Sequence, residues 1–271
     1  MSERFWYFSY GANMNVKYIE ERKKVKVIES APAILKDFRM AFSFKGFPHV
    51  EPGFAGLWDS PGSNVHGIAI CLDKQSADIL DTSEGANNTF GYVKQKVTFN
   101  TYAGKAIEGF IYIDKSPDRK EYLPSRRYLN ILISGAKEAG LDSKYIAKLE
   151  SQPFYVPTEK TLKARSLRPK PEDLPVITLD ELSKDDCLTS VLGYVCKTDG
   201  KFPPNRAKEL SQTTNDSGKP SYPVVKDMSP EHLETITRWL DTYTLDEDDE
   251  LLPSIVGYLK EFHEQQLSSN Y

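Results

Sequence analysis

The sequence predicts an α+β fold, a mixed β-barrel-like sheet flanked by helices, with a mostly helical extension at its C-terminal end. Three observations carry this expectation. Apolar residues alternate with polar or small ones over successive segments between Val25 and Ile113, which is the period of half-buried strands. Helical spacing appears beside and after that run and does not alternate strictly with it, as a parallel βαβ chain would require. Past Pro153 the texture changes to prolines interleaved with lysines and arginines, the composition of an extended connection.

Taken in order, residues 5–10 form an aromatic run that stops at Gly11, a buried strand entering a tight loop. Residues 14–24 read as a polar helix. Val25, Val27, Ile34 and Leu35, then Phe38, Met40, Phe42 and Phe44, mark strands. Residues 54–58 and 65–72 are two more, separated by the turn Ser60-Pro61-Gly62-Ser63. A short helix over 74–80 leads into Asp81-Thr82-Ser83-Glu84-Gly85. Strands over 92–100 and 105–113 are joined at Ala103-Gly104 as a hairpin. Pro124 stands at a first helical position, Leu129, Leu132 and Ala136 keep helical spacing, and Gly140 ends that helix. A further short helix covers 143–150.

These elements make a domain over 1–151, followed by a Pro-rich extended connection over 152–178 and an extension over 179–271. In the extension a strand is expected over 190–197. A helix follows with Ser229 as cap, Pro230 opening it, and Leu233, Ile236, Leu240 and Tyr243 on one face. Leu252, Ile255, Leu259 and Phe262 suggest a second helix, and the acidic residues 246–250 its N-terminal charge pattern.

Composition excludes several classes. Hydrophobic residues make up 39% and charged residues 27% of the 271, which suits a soluble globular chain. A net charge of −4 gives no general reason to bind nucleic acid or an anionic membrane, and the basic stretch over 160–170 reads as a solvated linker. No stretch approaches the ~20 apolar residues of a membrane span, and residues 1–8 lack the apolar core of a signal peptide. Cys71, Cys187 and Cys196 form no C-x-x-C pair. They read as buried free thiols of a reducing compartment, so a cytoplasmic location is expected.

The first chemically informative segment is Tyr7-Phe8-Ser9-Tyr10-Gly11-Ala12-Asn13-Met14. A strand feeding a glycine loop before a helix turns backbone N–H groups outward, which suits a carboxylate or phosphate. Gly11 permits the positive φ or the close approach that such a loop needs. Further along stand Ser60-Pro61-Gly62, His66-Gly67-Ile68, Leu80-Asp81, Ser83-Glu84-Gly85, Gly91-Tyr92, Pro124-Ser125, Tyr128, Gly135-Ala136-Lys137-Glu138, Gly140-Leu141, Tyr145 and Leu149. In this order the motifs resemble the γ-glutamyl cyclotransferase family over roughly residues 5–151, with the metazoan-type enzymes nearest in character.

The resemblance implies the γ-glutamyl cyclotransferase-like fold, no cofactor, no metal, and Glu84 as the acid–base residue. It places Tyr7, Tyr10, Gly11, Ala12, Asn13 and Tyr92 about the substrate, and leaves Tyr128 open between packing and a site hydroxyl. The family's usual Tyr-Gly-Ser-Asn has Ala12 at its third position here, a departure that matters only if the serine hydroxyl is used. A homodimer is among the assemblies it allows. The long form also resembles the fungal enzymes of gliotoxin-type biosynthesis, which trim γ-glutamyl groups from glutathione-derived adducts.

The implied chemistry is consistent with such a residue set. A γ-glutamyl amide carries its own nucleophile, because its α-amine can reach the side-chain carbonyl and close a five-membered lactam. Orientation of that kind is worth ~7–11 kcal/mol of barrier. What remains is to move protons from the attacking to the departing nitrogen and to stabilise the oxyanion. One carboxyl group serves for the proton steps. His66 and Cys71 lie five apart on one strand, on opposite faces, and suit no Cys–His hydrolase. Ser125 and Ser134 lie in no nucleophile elbow, and His49, His232 and His263 have no metal-ligand spacing. Two other readings stay open: a non-catalytic carboxylate-binding module on the same fold, and an amide hydrolase that releases glutamate.

Overall fold

The computed structural model describes residues 3–86, 92–114, 120–198, 213–214, 220–222 and 224–269. The chain divides into two compact units, Met1–Gly46 with Glu51–Tyr155, and Phe47–Val50 with Val156–Tyr271. Among the described residues no helix is long and apolar enough to cross a membrane.

The first unit is built on a closed five-stranded barrel. Its strands are β1 (Phe5–Ser9), β2 (Val27–Phe47), β3 (Glu51–Leu72), β4 (Val93–Thr101) and β5 (Ala106–Ile113), in the order β1-β3-β2-β4-β5. β1 pairs antiparallel with β3, Phe5 opposite Leu72, and closes the barrel by a parallel contact of Tyr7 with Phe110. Closure leaves no unpaired edge. Phe8, Leu35, Ile70, Phe99 and Ile111 fill the interior together with Leu129 and Leu132 of a helix laid against it.

β2 and β3 correct the shorter strands expected from the sequence, and the turn at 60–63 lies inside β3. Gly62 (φ 81°) donates its N–H to Asp37 Oδ1 at 2.8 Å, and Asp37 in β2 is itself left-handed at φ 62°. Matched irregularities of this kind bend the paired strands without ending them. The β4–β5 hairpin turns at Gly104 (φ 83°) as expected.

Three helices position the site. A 3-10 turn at Ala12–Met14 precedes α1 (Val16–Lys23), which Asn15 caps by accepting Tyr18 N–H. Helix α1 is thus shorter than predicted. Lys24 ends it in the left-handed conformation, φ 58°. α2 (Lys74–Ser83) is capped by Asp73, whose side chain accepts from Ser76 N–H, and Glu84 is its C-terminal cap. α3 (Arg126–Glu138) starts from Ser125, whose side chain accepts Tyr128 N–H. Pro124 therefore lies outside the helix, not at its first position, because the serine supplies the cap that the orphan N–H groups need. At Gly135 a Cβ would stand 2.7 Å from Asn15 N and 2.8 Å from Met14 C, so only glycine lets α3 approach the loop this closely. α4 (Ser143–Glu150) completes the unit.

The second unit departs further from expectation. A helix, α5 (Glu159–Ser166), stands inside the segment read as an extended connection, started by a capping box at Thr158. The prolines bracket it at Pro157 and Pro169 without interrupting it. After β6 (Val176–Ile177) and α6 (Leu179–Ser183), the single strand expected over 190–197 is a hairpin, β7 (Leu188–Val191) and β8 (Tyr194–Lys197). Its two-residue turn is Leu192 (φ 51°) and Gly193 (φ 82°), both left-handed as a tight hairpin requires.

β9 (Thr213–Thr214) and β10 (Pro220–Ser221) form a separate small ladder. α7 (Pro230–Thr244) matches its prediction, Ser229 cap included. The second predicted helix is instead β11 (Ile255–Leu259) followed by α8 (Lys260–Ser268). β11 joins a four-stranded sheet, β6-β11-β8-β7. Gly257 is needed there because a Cβ would meet Ile177 at 2.4 Å. The acidic residues before it make a turn closed by the Leu245–Leu251 bridge, with Asp246 accepting from the N–H groups of Asp248 and Glu250. Cys71 and Cys196 are buried free thiols, but Cys187 is exposed. It sits in the turn before β7, after the aspartates 185 and 186.

Candidate active site

The predicted residues come from four elements of the barrel unit. Tyr7 leaves β1, Tyr10 to Asn13 form the loop beyond it, Glu84 ends α2, Tyr92 precedes β4, and Tyr128 lies on α3. Gly91, part of the same motif order, lies outside the described residues.

Glu84 is fixed through its backbone before its side chain matters. Its N–H donates to Leu80 O at 3.0 Å, and its carbonyl accepts Tyr92 N–H at 3.2 Å. The side chain is 12% exposed. Asn13 Nδ2 donates to Glu84 Oε1 at 2.9 Å and to the Tyr7 hydroxyl at 3.2 Å. The loop and the carboxylate, 71 residues apart in sequence, are thus in direct contact. Lys23 Nζ also donates to Oε1. Among the described residues Oε2 has no bonding partner. Asn13 Oδ1 is buried and likewise unpartnered.

The loop itself is compact. Gly11 O accepts Met14 N–H at 3.0 Å, and Ala12 O accepts Asn15 N–H at 3.2 Å. Of the two uses open to Gly11, positive φ is not taken; it lies at φ −112°. Its role is close approach, since a Cβ would stand 3.3 Å from the Tyr128 hydroxyl. That hydroxyl accepts the N–H of Ala55 at 3.2 Å. Tyr92 donates to the carbonyl of the same Ala55 at 2.8 Å. Tyr10 donates to Tyr112 O.

An aromatic wall surrounds these groups. Tyr92 stacks on Phe44 at 4.3 Å between centroids, Phe54 meets Tyr128 edge-on at 5.1 Å, and Tyr7 stacks on Phe110 at 5.5 Å. Burial raises the pKa of the Tyr7, Tyr10, Tyr92 and Tyr128 phenols above the ordinary range, and the negative charge of Glu84 adds to the rise. All four therefore remain protonated near neutral pH and can donate.

Two features were not legible beforehand. Lys23 read as one charge of a polar helix, and only the turn of α1 toward α2 brings it to Glu84. Asp81, one turn before Glu84, accepts from the Tyr112 hydroxyl and pairs with Lys94 at 2.9 Å. A surface cavity of about 310 Å³, lined among others by Arg39, Ser63, Tyr145 and Lys148, contains none of the predicted site residues. Among the described residues no group of three His, Cys, Asp or Glu side chains could hold a metal ion.

Residues 64–149 match the model of the AIG2-like family. A gamma-glutamylcyclotransferase of Bos taurus is 34% identical over 152 residues, 55% of this chain and 79% of that protein. The chain belongs to the γ-glutamylcyclotransferase family. It is also similar to gamma-glutamyl cyclotransferase gliK of Aspergillus fumigatus, 28% identical over 174 residues, 56% of this chain and 63% of that one. A solved gamma-glutamyl cyclotransferase structure, 30% identical, superposes with a TM-score of 0.51 over 56% of this chain and 90% of its own. As a member of this family of enzymes the chain has cyclotransferase function, carried on the barrel that the sequence led us to expect.

Proposed function

We propose that the chain converts a γ-glutamyl-amino compound to 5-oxoproline and a free amine, with Glu84 carrying the protons. The observation that supports this most is the contact of Glu84 Oε1 with Asn13 of the loop, while Oε2 has no bonding partner among the described residues. In the reaction the α-nitrogen attacks the γ-carbonyl carbon, a new C–N bond closes the lactam, and the bond to the departing nitrogen breaks. A protonated α-amine gives up two hydrogens, and the departing amide nitrogen gains two to leave as an ammonium. A single carboxylate with one open oxygen can relay them one at a time. The Tyr128 hydroxyl accepts the N–H of Ala55 at 3.2 Å, so its own hydrogen is left to donate to the oxyanion. Tyr7, Tyr10 and Tyr92 serve as the walls that hold the substrate folded.

The finer reading is that the γ-glutamyl group is removed from a glutathione-derived conjugate of secondary metabolism. Similarity to the fungal gliK proteins supports it, as does a chain longer than the barrel unit. Mass spectrometry of products from γ-glutamyl dipeptides and from bulky S-conjugates decides the substrate; equal or better use of the dipeptides removes the biosynthetic reading. Release of 5-oxoproline by the wild type is the primary test. Glutamate in its place points to a hydrolase, and no product at all points to a binding module.

A further inference from the structure

The carboxylate of Glu84 does not stand alone in the site. Lys23 Nζ is bonded to its Oε1, with the two side chains 20% and 12% exposed. Lys23 belongs to the last turn of α1, where the left-handed Lys24 stops the helix. Asn13 donates to the same Oε1, while its own Oδ1 is buried without a donor. Next to one another, therefore, lie an anion, an unanswered acceptor and a cation. Around them, among the described residues, stand the phenols of Tyr7, Tyr10, Tyr92, Tyr112 and Tyr128, Asp81, already held by Lys94 and Tyr112, and Asp114, whose charge acts on Tyr10 and Tyr92.

This set is complementary to the amino-acid end of a γ-glutamyl compound. There an ammonium and a carboxylate hang from one carbon, so groups that receive the first stand beside the group that receives the second. Glu84 and Asn13 Oδ1 are acceptors for the ammonium. The backbone N–H groups of the loop are not all open to the carboxylate, because those of Met14 and Asn15 are already given to Gly11 O and Ala12 O. A cation at hand fills the gap.

We propose that Lys23 is the specificity-determining residue for a free α-carboxylate: it leaves Glu84 as substrate enters, turns to the carboxylate, and yields the Glu84 oxygen to the ammonium. This rests on the γ-glutamyl substrate class proposed above. The exchange keeps the charges matched at each stage, because the ammonium that displaces Lys23 from Glu84 brings its own counter-charge for Lys23.

The test compares a γ-glutamyl dipeptide with its α-carboxamide counterpart in the wild type, Lys23→Met and Lys23→Arg. The wild type should prefer the free acid by about 10- to 100-fold in kcat/KM, the scale of one charge-assisted hydrogen bond. Lys23→Met should reduce that preference to within about threefold, mainly through KM for the acid, and Lys23→Arg should keep most of it. If Lys23→Met instead lowers kcat on both compounds alike and preserves the preference, Lys23 only positions Glu84 and the proposal is overturned.

A binding arm separates this from the reading beneath it. Calorimetry on the Glu84→Gln protein should show the acid bound about tenfold tighter than the amide, a difference abolished by adding Lys23→Met. Absence of 5-oxoproline with that binding difference intact rejects the cyclotransferase chemistry and keeps the carboxylate site. An unchanged binding difference in the double variant rejects the carboxylate site whatever the turnover.

Discussion

Two carboxylates, one in each unit, are held by cations and little exposed, yet they are finished differently. Asp241 in the second unit is wholly buried. Arg165 and Arg168 donate to it from both sides, through Nε at 3.0 and 3.1 Å and through Nη2 at 2.6 Å for Arg165. Both of its oxygens are saturated. Among the described residues, Glu84 in the barrel unit takes both of its bonds on one oxygen and leaves the other open. A saturated carboxylate has no lone pair to offer a substrate, whereas an open one does. The difference separates a fully paired charge from the one proposed to carry the protons.

Breaking the saturated cluster should have the larger effect. Asp241→Ala strands two guanidinium groups in a poorly solvated setting, and removal of one partner of a buried pair costs about 3–5 kcal/mol. We expect that loss in chemical denaturation of the second unit. A cost below about 1 kcal/mol would mean the arginines are already solvated or re-paired with Glu234, which Arg165 also holds at 3.0 Å. Glu84→Gln comes next. It keeps the size of the side chain and should lower turnover by at least ~100-fold, the value of a positioned acid–base group, with little change in unfolding. A folded and fully active Gln variant ends the assignment of Glu84.

Gly11→Val sharpens the comparison from the loop side. The new Cβ would lie 3.3 Å from the Tyr128 hydroxyl and 3.5 Å from Ala55 Cβ, with two methyl groups beyond it. Overpacking of this order costs about 1–3 kcal/mol. It should push the loop from Tyr128 and raise KM several-fold while the barrel stays folded. An unchanged KM, with normal circular dichroism, would remove the loop from substrate binding.

Legibility differed between the units for a physical reason. In the barrel unit the elements announce themselves: β4 and β5 alternate cleanly about Gly104, and Gly140 marks the end of α3, though Ser125 and not Pro124 sets its start. The motif order likewise placed Asn13 and Glu84 together without any pairing being known. What it could not show was Lys23, because a lysine on a polar helix carries no signal until the tertiary turn of α1 gives it a partner. At Gly11 both uses of glycine, positive φ and close approach, stood open in the sequence, and only the neighbour Tyr128 decides between them. In the second unit, Leu252, Ile255, Leu259 and Phe262 fit a helical period by spacing alone. The run Ile255-Val256-Gly257-Tyr258 between them is β-branched and aromatic, and pairing on both sides with β6 and β8 overrode the period. A short strand flanked by a helix is where periodicity misleads most.

The smallest expected effect concerns the tyrosine wall, and it separates a residue that touches substrate from one that shapes the pocket. Tyr92 gives its hydroxyl to Ala55 O at 2.8 Å, and Tyr128 takes the N–H of the same residue at 3.2 Å. The two phenols therefore clamp one residue of β3 by its N–H and its carbonyl. Tyr92→Phe removes one clamp but keeps the ring on Phe44, at 4.3 Å and 15°. Loss of a single neutral hydrogen bond costs about 0.5–1.5 kcal/mol of stability. The position of Ala55 is still fixed by Tyr128, so kcat/KM should fall by less than about fivefold, in step with that modest loss. A fall beyond tenfold with stability unchanged would mean that the hydroxyl turns to the substrate on binding, and that Ala55 only holds it in waiting.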